Sequence, residues 1–352
     1  MKILVTGGFG FIGSAFIRSN LLLNNYIINI DKVTYASSKI AIKEFSKENN
    51  VISYKYDICD KKKIKQVIYK HKPEIIINFA AESHVDQSID HPDIFVKTNV
   101  LGTLNLLNIG LNYFKSLKSE KKKKFKFIQV STDEVFGSLK FNEPKFTEKS
   151  NYKPNSPYSS SKASSDHLSR AWYKTYKLPV IITHCSNNFG PYQNLEKLIP
   201  NVIVRALQHK PIQIYGRGNQ IRDWIFVEDH VEALNLIIKK GKVGQTYNIG
   251  GDHELKNIDV VKKICSILEN LHPKSQKRNQ IYSSLITYVK DRPAHDKRYA
   301  VNSSKIKRDL KWRLKGNFGE KLSHTIKWYL ESFENKKFSY KDLDLKRLGD
   351  EK

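Results

Sequence analysis

The chain has 352 residues and 39% of them are apolar, which is enough to bury the core of one large domain or of two smaller ones. No continuous apolar run approaches the roughly 18 residues of a membrane helix, and the three cysteines are too widely spaced for a disulfide framework or a zinc site. The net charge of +26 comes mostly from Lys residues spread along the chain, which favours a solvated surface over a nucleic-acid interface. We expect a soluble, cytoplasmic protein, since residues 1–6 lead directly into a glycine turn rather than into the apolar stretch of a signal peptide.

The first predicted strand ends in a glycine turn. Residues 2–6 have the pattern of a buried strand, and Gly7, Gly10 and Gly13 connect it to a helix that begins near Ser14. Glycines at this spacing allow a tight turn, a close approach of the backbone to a pyrophosphate, and close packing of the helix. The pattern therefore predicts a dinucleotide site.

The second predicted strand supplies a carboxylate to that site. Residues 26–30 form an apolar run that ends at Asp31, where a carboxylate can bind the ribose hydroxyls of a dinucleotide. Asp31 would repel a 2′-phosphate, which favours NAD over NADP, although the neighbouring Lys32 leaves NADP open.

Strands and helices alternate through the first half of the chain. Further strands are indicated at residues 51–56, 74–79, 125–130 and 178–183, with helical segments between them, and the lysine run at 121–124 is expected in a solvated loop. This alternation predicts an α/β fold with a Rossmann-type doubly wound parallel sheet over residues 1–186. Shorter elements follow, which predicts a smaller α/β substrate lobe over residues 187–337, with some segments returning to the large domain. Residues 338–352 are predicted to form a charged tail.

Polar side chains follow the strand predicted at 125–130. Thr132, Asp133 and Glu134 would lie at the carboxyl edge of the sheet, where open α/β sheets bind ligands. Two adjacent carboxyl groups can act as acid and base if their environments keep one neutral and the other ionised. A helix-capping acidic pair is the alternative without a catalytic role.

A tyrosine and a lysine lie four residues apart at the start of the next predicted helix. Tyr158 and Lys162 therefore project from one face of that helix. A nearby ammonium group favours the phenolate and lowers the pKa of a tyrosine. We predict that Tyr158 is a base that takes a proton from a substrate hydroxyl while hydride leaves the same carbon for NAD.

Other polar residues have less specific patterns. The spacing of Glu82, His84, Asp86 and His91 matches no familiar metal site, so no metal is predicted. His184 and Cys185 continue an apolar strand and are expected in the core.

Basic residues of the second half are candidates for binding a diphosphate, a role that suits Arg because a guanidinium bonds two oxygens at once. Each residue alone is more often a surface charge. The candidates are Lys197, Arg222, Arg292, His295 and Arg298.

Taken together, these motifs resemble the extended short-chain dehydrogenase/reductase family, and within it the nucleotide-sugar dehydratases. The similarity covers nearly the whole chain to about Trp312. The Tyr-x-x-x-Lys pair is typical of the whole superfamily, whereas Thr132-Asp133-Glu134 is typical of the dehydratases. Besides the glycine turn, the similar segments are residues 31–36, 80–86, 131–137, 158–167, 185–192, 196–200, 221–224, 247–251 and 291–293.

A few positions depart from the family pattern. Gln87 and Lys297 stand where Arg is usual, and Ser37 stands where Gly is common. Ala294 replaces the Gly of an Asp-Arg-Pro-Gly-His turn, which can shift the turn that holds the nucleotide. None of these changes removes a predicted catalytic group.

The resemblance implies an NAD-dependent dehydration of dTDP-glucose. Tyr158, assisted by Thr132 and Lys162, would take the proton of the sugar 4-hydroxyl. Glu134 would remove the C5 proton, and protonated Asp133 would donate to the departing 6-hydroxyl. The resemblance also implies a homodimer formed through the helices that contain Pro92 and Tyr158.

The resemblance, together with the glycine turn, assigns two sets of contacts. The residues expected to contact NAD are Gly7, Gly10, Phe11, Ile12, Gly13, Asp31, Lys32, Thr34, Asp57, Ile58, Ala80, Ala81, Thr98, Tyr158, Lys162 and Asn188. The residues expected to contact the nucleotide sugar are Ser83, Thr132, Asn187, Lys197, Leu198, Tyr215, Arg222, Asn257, Arg292 and His295.

Several alternatives stay open. Dehydratases or epimerases of UDP- or GDP-sugars are possible because the physical pattern does not identify the base, although a 4-epimerase needs no carboxylate pair after Thr132. A catalytically idle dinucleotide-binding protein or a nucleic-acid-associated protein is the alternative from another class. Such a protein could lose Tyr158, Lys162 or Glu134 without penalty, and all three are present.

Overall fold

The computed structural model describes residues 1–273 and 281–335, so the predicted tail at 338–352 lies outside the described residues. The strands are β1 (Lys2–Thr6), β2 (Tyr26–Asp31), β3 (Val51–Lys55), β4 (Ile75–Asn78), β5 (Lys126–Thr132), β6 (Val180–Cys185), β7 (Asn187–Phe189), β8 (Ile212–Tyr215), β9 (Ile221–Phe226), β10 (Thr246–Ile249), β11 (Glu254–Lys256), β12 (Ile286–Val289) and β13 (Arg298–Tyr299).

Helices connect most of these strands. The α-helices are α1 (Phe11–Leu22), α2 (Lys39–Phe45), α3 (Lys61–His71), α4 (Val85–Asp90), α5 (Pro92–Phe95), α6 (Thr103–Ser116), α7 (Ser119–Lys124), α8 (Pro157–Tyr176), α9 (Leu198–Leu207), α10 (Val227–Lys240), α11 (Asn257–Leu271), α12 (Ser304–Leu310) and α13 (Phe318–Glu334). A π-helical segment spans Val96–Gly102, and 3-10 turns span Asp133–Phe136 and Tyr282–Leu285.

A parallel sheet forms the centre of the fold. Within the described residues it has seven strands in the order β10-β6-β5-β4-β1-β2-β3. The chain moves outward from β1 in one direction through β2 and β3, and in the other direction through β4, β5 and β6. The order therefore reverses between β1 and β4, and an open sheet of this kind binds its ligand at the carboxyl ends of the strands beside such a reversal. The predicted doubly wound sheet is confirmed.

The core lies on both faces of this sheet because its strands carry apolar side chains on both faces, as parallel strands covered by helices do. One core cluster includes Ile3 and Val5 of β1, and the cluster on the other face includes Leu4. All three side chains are fully buried.

The strand that leads to the predicted carboxyl pair is longer than expected. β5 continues through Ser131 and Thr132, which pair with His184 and Cys185 of β6. The pairing continues because β6 also runs later than predicted, to Cys185. His184 and Cys185 lie in the core, as expected. The lysine run 121–124 is part of the short exposed helix α7, so the prediction of a loop there was wrong.

A long helical stretch, Pro92–Ser116, packs beside the sheet. It joins α5, the π-helical segment and α6. With a hydropathy of 1.3 and 25 residues it has the length and composition of a membrane span, yet 61% of its most apolar window is buried inside the protein. Core helices of globular domains have the same properties, so this stretch by itself does not indicate a membrane.

The second half of the chain builds a smaller unit and also returns to the large sheet. β9 pairs with β7, β11 and β13, while β8 pairs with β12. Helices α9, α11 and α13 enclose a separate apolar core with these strands. In contrast, β10 joins the edge of the large sheet beside β6, and residues of α10 and α12 belong to its core.

Candidate active site

The glycine turn leaves room for a ligand phosphate at the start of α1. Gly7 has a φ of +72°, and a Cβ there would lie 2.7 Å from the backbone nitrogen of Ala80. A Cβ at Gly13 would lie 2.3 Å from the carbonyl oxygen of Gly7. Gly10 is the N-cap of α1 and provides no capping side chain, so the helix N-terminus opens towards the turn. A pyrophosphate fits this arrangement, because helix N-termini attract anions.

Asp31 and Lys32 lie at the end of the next strand. The Asp31 carboxylate accepts hydrogen bonds from the backbone nitrogens of Phe9 (2.9 Å) and Val33 (2.8 Å), which fix its orientation in the cavity. The Lys32 ammonium forms an ion pair with Asp57 at 3.0 Å. Because the Lys32 ammonium is already paired with Asp57, its presence is no argument for the 2′-phosphate of NADP.

A cavity of about 320 Å³ opens at the carboxyl edge of the sheet, and its volume lies in the range of ligand sites. Every residue predicted to contact NAD lines it. Of the other predicted residues, it is also lined by Ser83, Thr132, Asp133, Glu134, Asn187 and Lys197.

Some of the predicted substrate residues do not line this cavity. Leu198 begins α9 and packs on the second core, and Asn257 begins α11 with its side-chain oxygen buried. The remaining ones, Tyr215, Arg222, Arg292 and His295, belong to a basic region next to the carboxyl pair.

The carboxyl pair is presented by a sharp turn at the end of β5. Thr132 ends the strand, and its hydroxyl accepts a hydrogen bond from the backbone nitrogen of Glu134 (3.3 Å) and contacts Asp133 Oδ1 (3.3 Å). The chain then enters the 3-10 turn Asp133–Phe136. Asp133 is 1% exposed and its Oδ2 has no hydrogen-bond partner among the described residues, whereas Glu134 is partly exposed.

The two carboxyl groups have different electrostatic surroundings. Burial raises the pKa of Asp133 well above its usual value, and the negative charges of Glu134 and Asp223 raise it further. Burial also raises the pKa of Glu134, but the positive charges of Arg292 and Arg222 oppose this shift. The surroundings therefore favour the protonated form more strongly at Asp133 than at Glu134, so Asp133 is the better acid candidate and Glu134 the better base candidate.

Tyr158 and Lys162 are held on the first turns of α8. Ser156 and Ser159 form a reciprocal capping box at the start of this helix, and Pro157 follows the cap, which accounts for the abrupt helix start. The ring of Tyr158 packs edge-on against Phe95, with ring centroids 6.3 Å apart. Both side chains are buried and line the cavity.

The prediction that the pKa of Tyr158 is lowered is wrong for the protein without a bound cofactor. Burial, followed by the charge of Glu134, raises this pKa well above its usual value, and a hydrogen bond with Thr132 is the contact that opposes the rise. The Lys162 ammonium donates to the carbonyl oxygen of Val130 at 2.8 Å, and burial lowers its pKa. A further positive charge in the cavity is therefore needed to favour the phenolate.

An acidic residue organises the basic region. Asp86 accepts hydrogen bonds from Arg292 (3.1 Å, an ion pair) and from the Tyr215 hydroxyl (3.0 Å). The arginine thus remains charged although it is largely buried, and Asp86 raises its pKa. The Nε atom of Arg292 has no partner among the described residues and is free for a ligand oxygen.

Arg222 and His295 are fixed by different contacts. Arg222 donates to the carbonyl oxygens of Ile221 (2.9 Å) and Asp296 (3.1 Å), and its guanidinium lies 4.4 Å from the centroid of the Tyr299 ring. His295 contacts Asp291 at 2.6 Å, and burial lowers the pKa of this histidine to about 4. His295 is therefore neutral near pH 7.

One candidate for diphosphate binding is engaged elsewhere. Arg298 forms an ion pair with Glu254 at 2.6 Å and donates to the carbonyl oxygens of Lys140 and Glu143. Three hydrogen bonds from its Nε and Nη1 atoms tie Arg298 to protein groups, which argues against its grouping with the diphosphate candidates.

Three polar residues with clear roles at the site were not predicted from the sequence as site residues. Asp86 holds Arg292, and Asp296 lies close enough to Glu134 to raise its pKa. Asn99 accepts from the backbone nitrogen of Glu82 (2.9 Å) and donates to Ser161 (2.8 Å), which clamps the loop after β4 to α8. A polar residue inside an apolar helix was the available signal for Asn99, and the loop position after β4 was the signal for Asp86.

The acidic and imidazole groups of the described residues include no cluster of three or more that could hold a metal ion. Asp86 contacts Arg292 and Tyr215, and His84 lies 3.7 Å from Glu196. The absence of a metal stays a prediction.

The turn that carries Arg292 contains a strained residue. Ala294 has a φ of +51°, in the left-handed region where a side chain costs about 1–2 kcal/mol. Ala294→Gly is expected to raise the free energy of unfolding by about 0.5–1 kcal/mol, because the relief of strain exceeds the greater entropy of glycine in the unfolded chain. Urea unfolding without ligands measures this difference.

The matched control for this stability measurement is Ala206→Gly, at a helical position in α9. It is expected to lower the free energy of unfolding by about 1 kcal/mol. Equal losses of stability in the two variants would contradict the strain at Ala294.

Comparisons with known proteins give one consistent result. The family model described as GDP-mannose 4,6 dehydratase matches residues 4–325. The chain is 51% identical over 333 residues to a dTDP-glucose 4,6-dehydratase of Haemophilus influenzae, covering 94% of this chain and 98% of the relative. Among solved structures, it is similar to the dTDP-glucose 4,6-dehydratase of Bacillus anthracis in complex with NAD, with a TM-score of 0.83, 42% identity and coverage of 95% and 98% of the two chains. It is also similar to the dTDP-glucose 4,6-dehydratase DesIV of Streptomyces venezuelae with NAD and TYD bound, with a TM-score of 0.84, 36% identity and the same coverage.

Proposed function

The chain belongs to the family described as GDP-mannose 4,6 dehydratase, and on this premise we propose that it converts dTDP-glucose into dTDP-4-keto-6-deoxyglucose with NAD as cofactor. The family description names a GDP-sugar, whereas the relative that shares half of its residues with this chain is named for a dTDP-sugar. The function common to both names is the 4,6-dehydration of a nucleotide sugar. We assign dTDP-glucose as the substrate because relatives about half identical to this chain are named for it.

The observation that carries the chemistry is the unequal environment of the two carboxyl groups. Burial and the charges of Glu134 and Asp223 raise the pKa of Asp133 well above its usual value, whereas the charges of Arg292 and Arg222 oppose the rise that burial causes in the pKa of Glu134. A neutral acid beside an ionised base is the arrangement that the removal of water across C5 and C6 requires. Oxidation of a hydroxyl alone needs only the tyrosine.

The chain's own groups then have separate tasks. Tyr158, with Thr132 at its hydroxyl, takes the proton of the sugar 4-hydroxyl, and the ammonium of Lys162 stabilises the phenolate. Glu134 removes the proton at C5, which the ketone at C4 has made acidic, and Asp133 donates its proton to the 6-hydroxyl, which leaves as water. Glu134 then returns its proton to C5 when a hydride reaches C6. When bound, NAD would supply an oxidised nicotinamide as hydride acceptor for C4 and, once reduced, the hydride donor for C6.

The residues present fit this cofactor. The glycine turn receives the pyrophosphate at the N-terminus of α1, and the Asp31 carboxylate is held at the edge of the cavity for the ribose. Lys162 and Tyr158 line the same cavity.

The basic region supports an anionic substrate. Arg292 and Arg222 are buried or largely buried beside Glu134, and Lys197 lines the cavity with its ammonium 3.2 Å from the carbonyl oxygen of Ser83. Lys197 also lies 3.5 Å from Glu196. A cluster of three positive groups suits a diphosphate, because charge-assisted hydrogen bonds to it are strong.

The proposal extends to the organisation of the chain. We assign NAD binding mainly to residues 1–186 and nucleotide-sugar binding mainly to residues 187–337. We also propose a cytoplasmic homodimer, with no membrane or nucleic-acid partner. The exposed apolar side chains of Ile94, Val96 and Leu101 on the helical stretch Pro92–Ser116 support such an interface.

Mass analysis of the products tests the function directly. The purified protein is incubated separately with dTDP-glucose, UDP-glucose and GDP-mannose, with and without added NAD. Loss of one water from the dTDP-sugar alone is the expected result. Loss of water from another nucleotide sugar would replace the dTDP assignment. A product of unchanged mass with inverted configuration at C4 would indicate an epimerase.

A further inference from the structure

A buried polar cluster lies directly behind the catalytic residues. Its centre is Asp166, which is fully buried. Asp166 Oδ2 accepts hydrogen bonds from the hydroxyls of Ser131 (2.7 Å) and Tyr152 (3.3 Å) and lies 3.1 Å from His184 Nε2. Asp166, Tyr152 and His184 are not among the residues that line the cavity. The mechanism above leaves this cluster without a task.

The cluster connects the elements that carry the reacting groups. Ser131 directly precedes Thr132 at the end of β5, and Asp166 lies one turn after Lys162 on α8. His184 lies on β6, paired with Ser131. A hydrogen bond from Ser131 to Asp166 therefore fixes the strand that ends in the carboxyl pair against the helix that carries Tyr158 and Lys162.

Asp166 also supplies the charge that a buried ammonium needs. Lys162 is 4% exposed and donates to the neutral carbonyl oxygen of Val130. Burial of an ammonium without an opposite charge is costly. Residues four apart on a helix are neighbours, and burial lowers the pKa of Lys162 while the charge of Asp166 opposes this effect.

The other ionisable groups around the cluster come from several elements. Cys185 of β6 is the second group that favours the Lys162 ammonium, and Arg170 of α8 interacts with the Tyr152 hydroxyl. His184 Nδ1 lies 3.2 Å from the side-chain oxygen of Asn248, whose backbone nitrogen donates to Glu148. His184 Nε2 also lies 2.8 Å from the Tyr152 hydroxyl, so both ring nitrogens of His184 face oxygen atoms.

Resting on the function proposed above, we propose that Asp166 is a positioning residue of the dehydratase. Its carboxylate keeps Lys162 in the charged form that stabilises the Tyr158 phenolate, and its hydrogen bond with Ser131 holds the end of β5 in place.

Asp166→Asn tests the proposal because it preserves the shape of the side chain and removes its charge. Lys162 acts while protonated, so activity is lost as the pH rises through its pKa, and loss of the nearby negative charge lowers that pKa. The basic limb of the pH profile for single-turnover oxidation at C4, a step that does not use Asp133, is expected to move about one pH unit lower. At neutral pH kcat is expected to fall about 10-fold or more, while KM for dTDP-glucose stays the same because Asp166 does not line the cavity.

His184→Asn is the matched control. The amide can still donate to Asp166 but cannot carry a charge, so the negative charge that acts on Lys162 remains. The basic limb is therefore expected not to move lower. An equal downward shift in both variants would show that the cluster acts through packing and would overturn the proposal, as would an unmoved limb in Asp166→Asn.

A double variant covers the case in which Asp166→Asn does not fold. Asp166→Asn combined with His184→Asn leaves two amides that can hydrogen-bond to each other, so neither partner of the pair faces a mismatched group. The same lowered limb is expected. Wild-type turnover of dTDP-glucose, measured first, separates the two proposals: an inactive wild type contradicts the function, whereas an active wild type with an unmoved limb in these variants contradicts only the role of Asp166.

Discussion

Tyr158→Phe is expected to lose nearly all oxidation of dTDP-glucose at C4, with a fall in kcat of about 10²–10⁴ or more, the usual contribution of a general base. The variant keeps the ring that packs against Phe95 and removes only the hydroxyl that meets Thr132. Binding of NAD and of the nucleotide sugar is expected to remain. Single-turnover absorbance of the reduced nicotinamide measures the oxidation, and product mass measures the overall reaction.

Tyr113→Phe is the matched control for the loss of a buried hydroxyl. The Tyr113 hydroxyl donates to the carbonyl oxygen of Pro73 at 3.1 Å, and Tyr113 does not line the cavity. This variant is expected to keep its turnover and to lose about 1 kcal/mol of stability. Wild-type turnover in Tyr158→Phe would refute the assignment of Tyr158 as the base.

Asp133→Asn is the second substitution with a large expected effect. The amide cannot donate the proton that Asp133 gives to the departing 6-hydroxyl, so the loss of water is expected to slow by about 10²–10⁴. Oxidation at C4 is expected to slow much less, because Tyr158 and Lys162 are unchanged. Reduced nicotinamide should therefore accumulate during turnover while little product of lower mass appears.

Glu134→Gln gives the comparison for this substitution. It removes the base for the C5 proton, and it is likewise expected to slow the loss of water more than the oxidation. If Asp133→Asn slowed both steps equally, Asp133 would not be the acid of the dehydration.

The pH dependence of dehydration follows from the same pair. Asp133 acts while protonated, so its contribution is lost as the pH rises through its raised pKa. Glu134 acts while ionised, so its contribution is lost as the pH falls through its own raised pKa. A bell-shaped profile is expected for the dehydration step, and its acidic limb should disappear in Glu134→Gln if the residual rate no longer depends on this base.

Local sequence patterns determined much of the fold and of the candidate site. The strands around the glycine turn, the helix that starts near Tyr158 and the position of Asp133 and Glu134 after β5 all depend on the hydrophobic period and on turn residues close by in the chain. The resemblance to the dehydratase family connected these patterns with NAD as cofactor and with the dehydration of a nucleotide sugar. The ends of the strands were predicted less well than their positions. β5 is two residues longer than predicted because its last two residues pair with β6.

Only the tertiary structure decided how the site is charged. Asp86 and Arg292 form an ion pair although they are 206 residues apart in the chain, and Arg222 and Asp223 reach the carboxyl pair from β9. The direction of the Lys162 ammonium towards Val130 depends on how α8 packs on β5, and the burial that raises the pKa of Tyr158 arises from the same packing. Burial and Coulomb interactions act through space, so groups far apart in the sequence set the protonation of residues whose positions the local pattern had already determined.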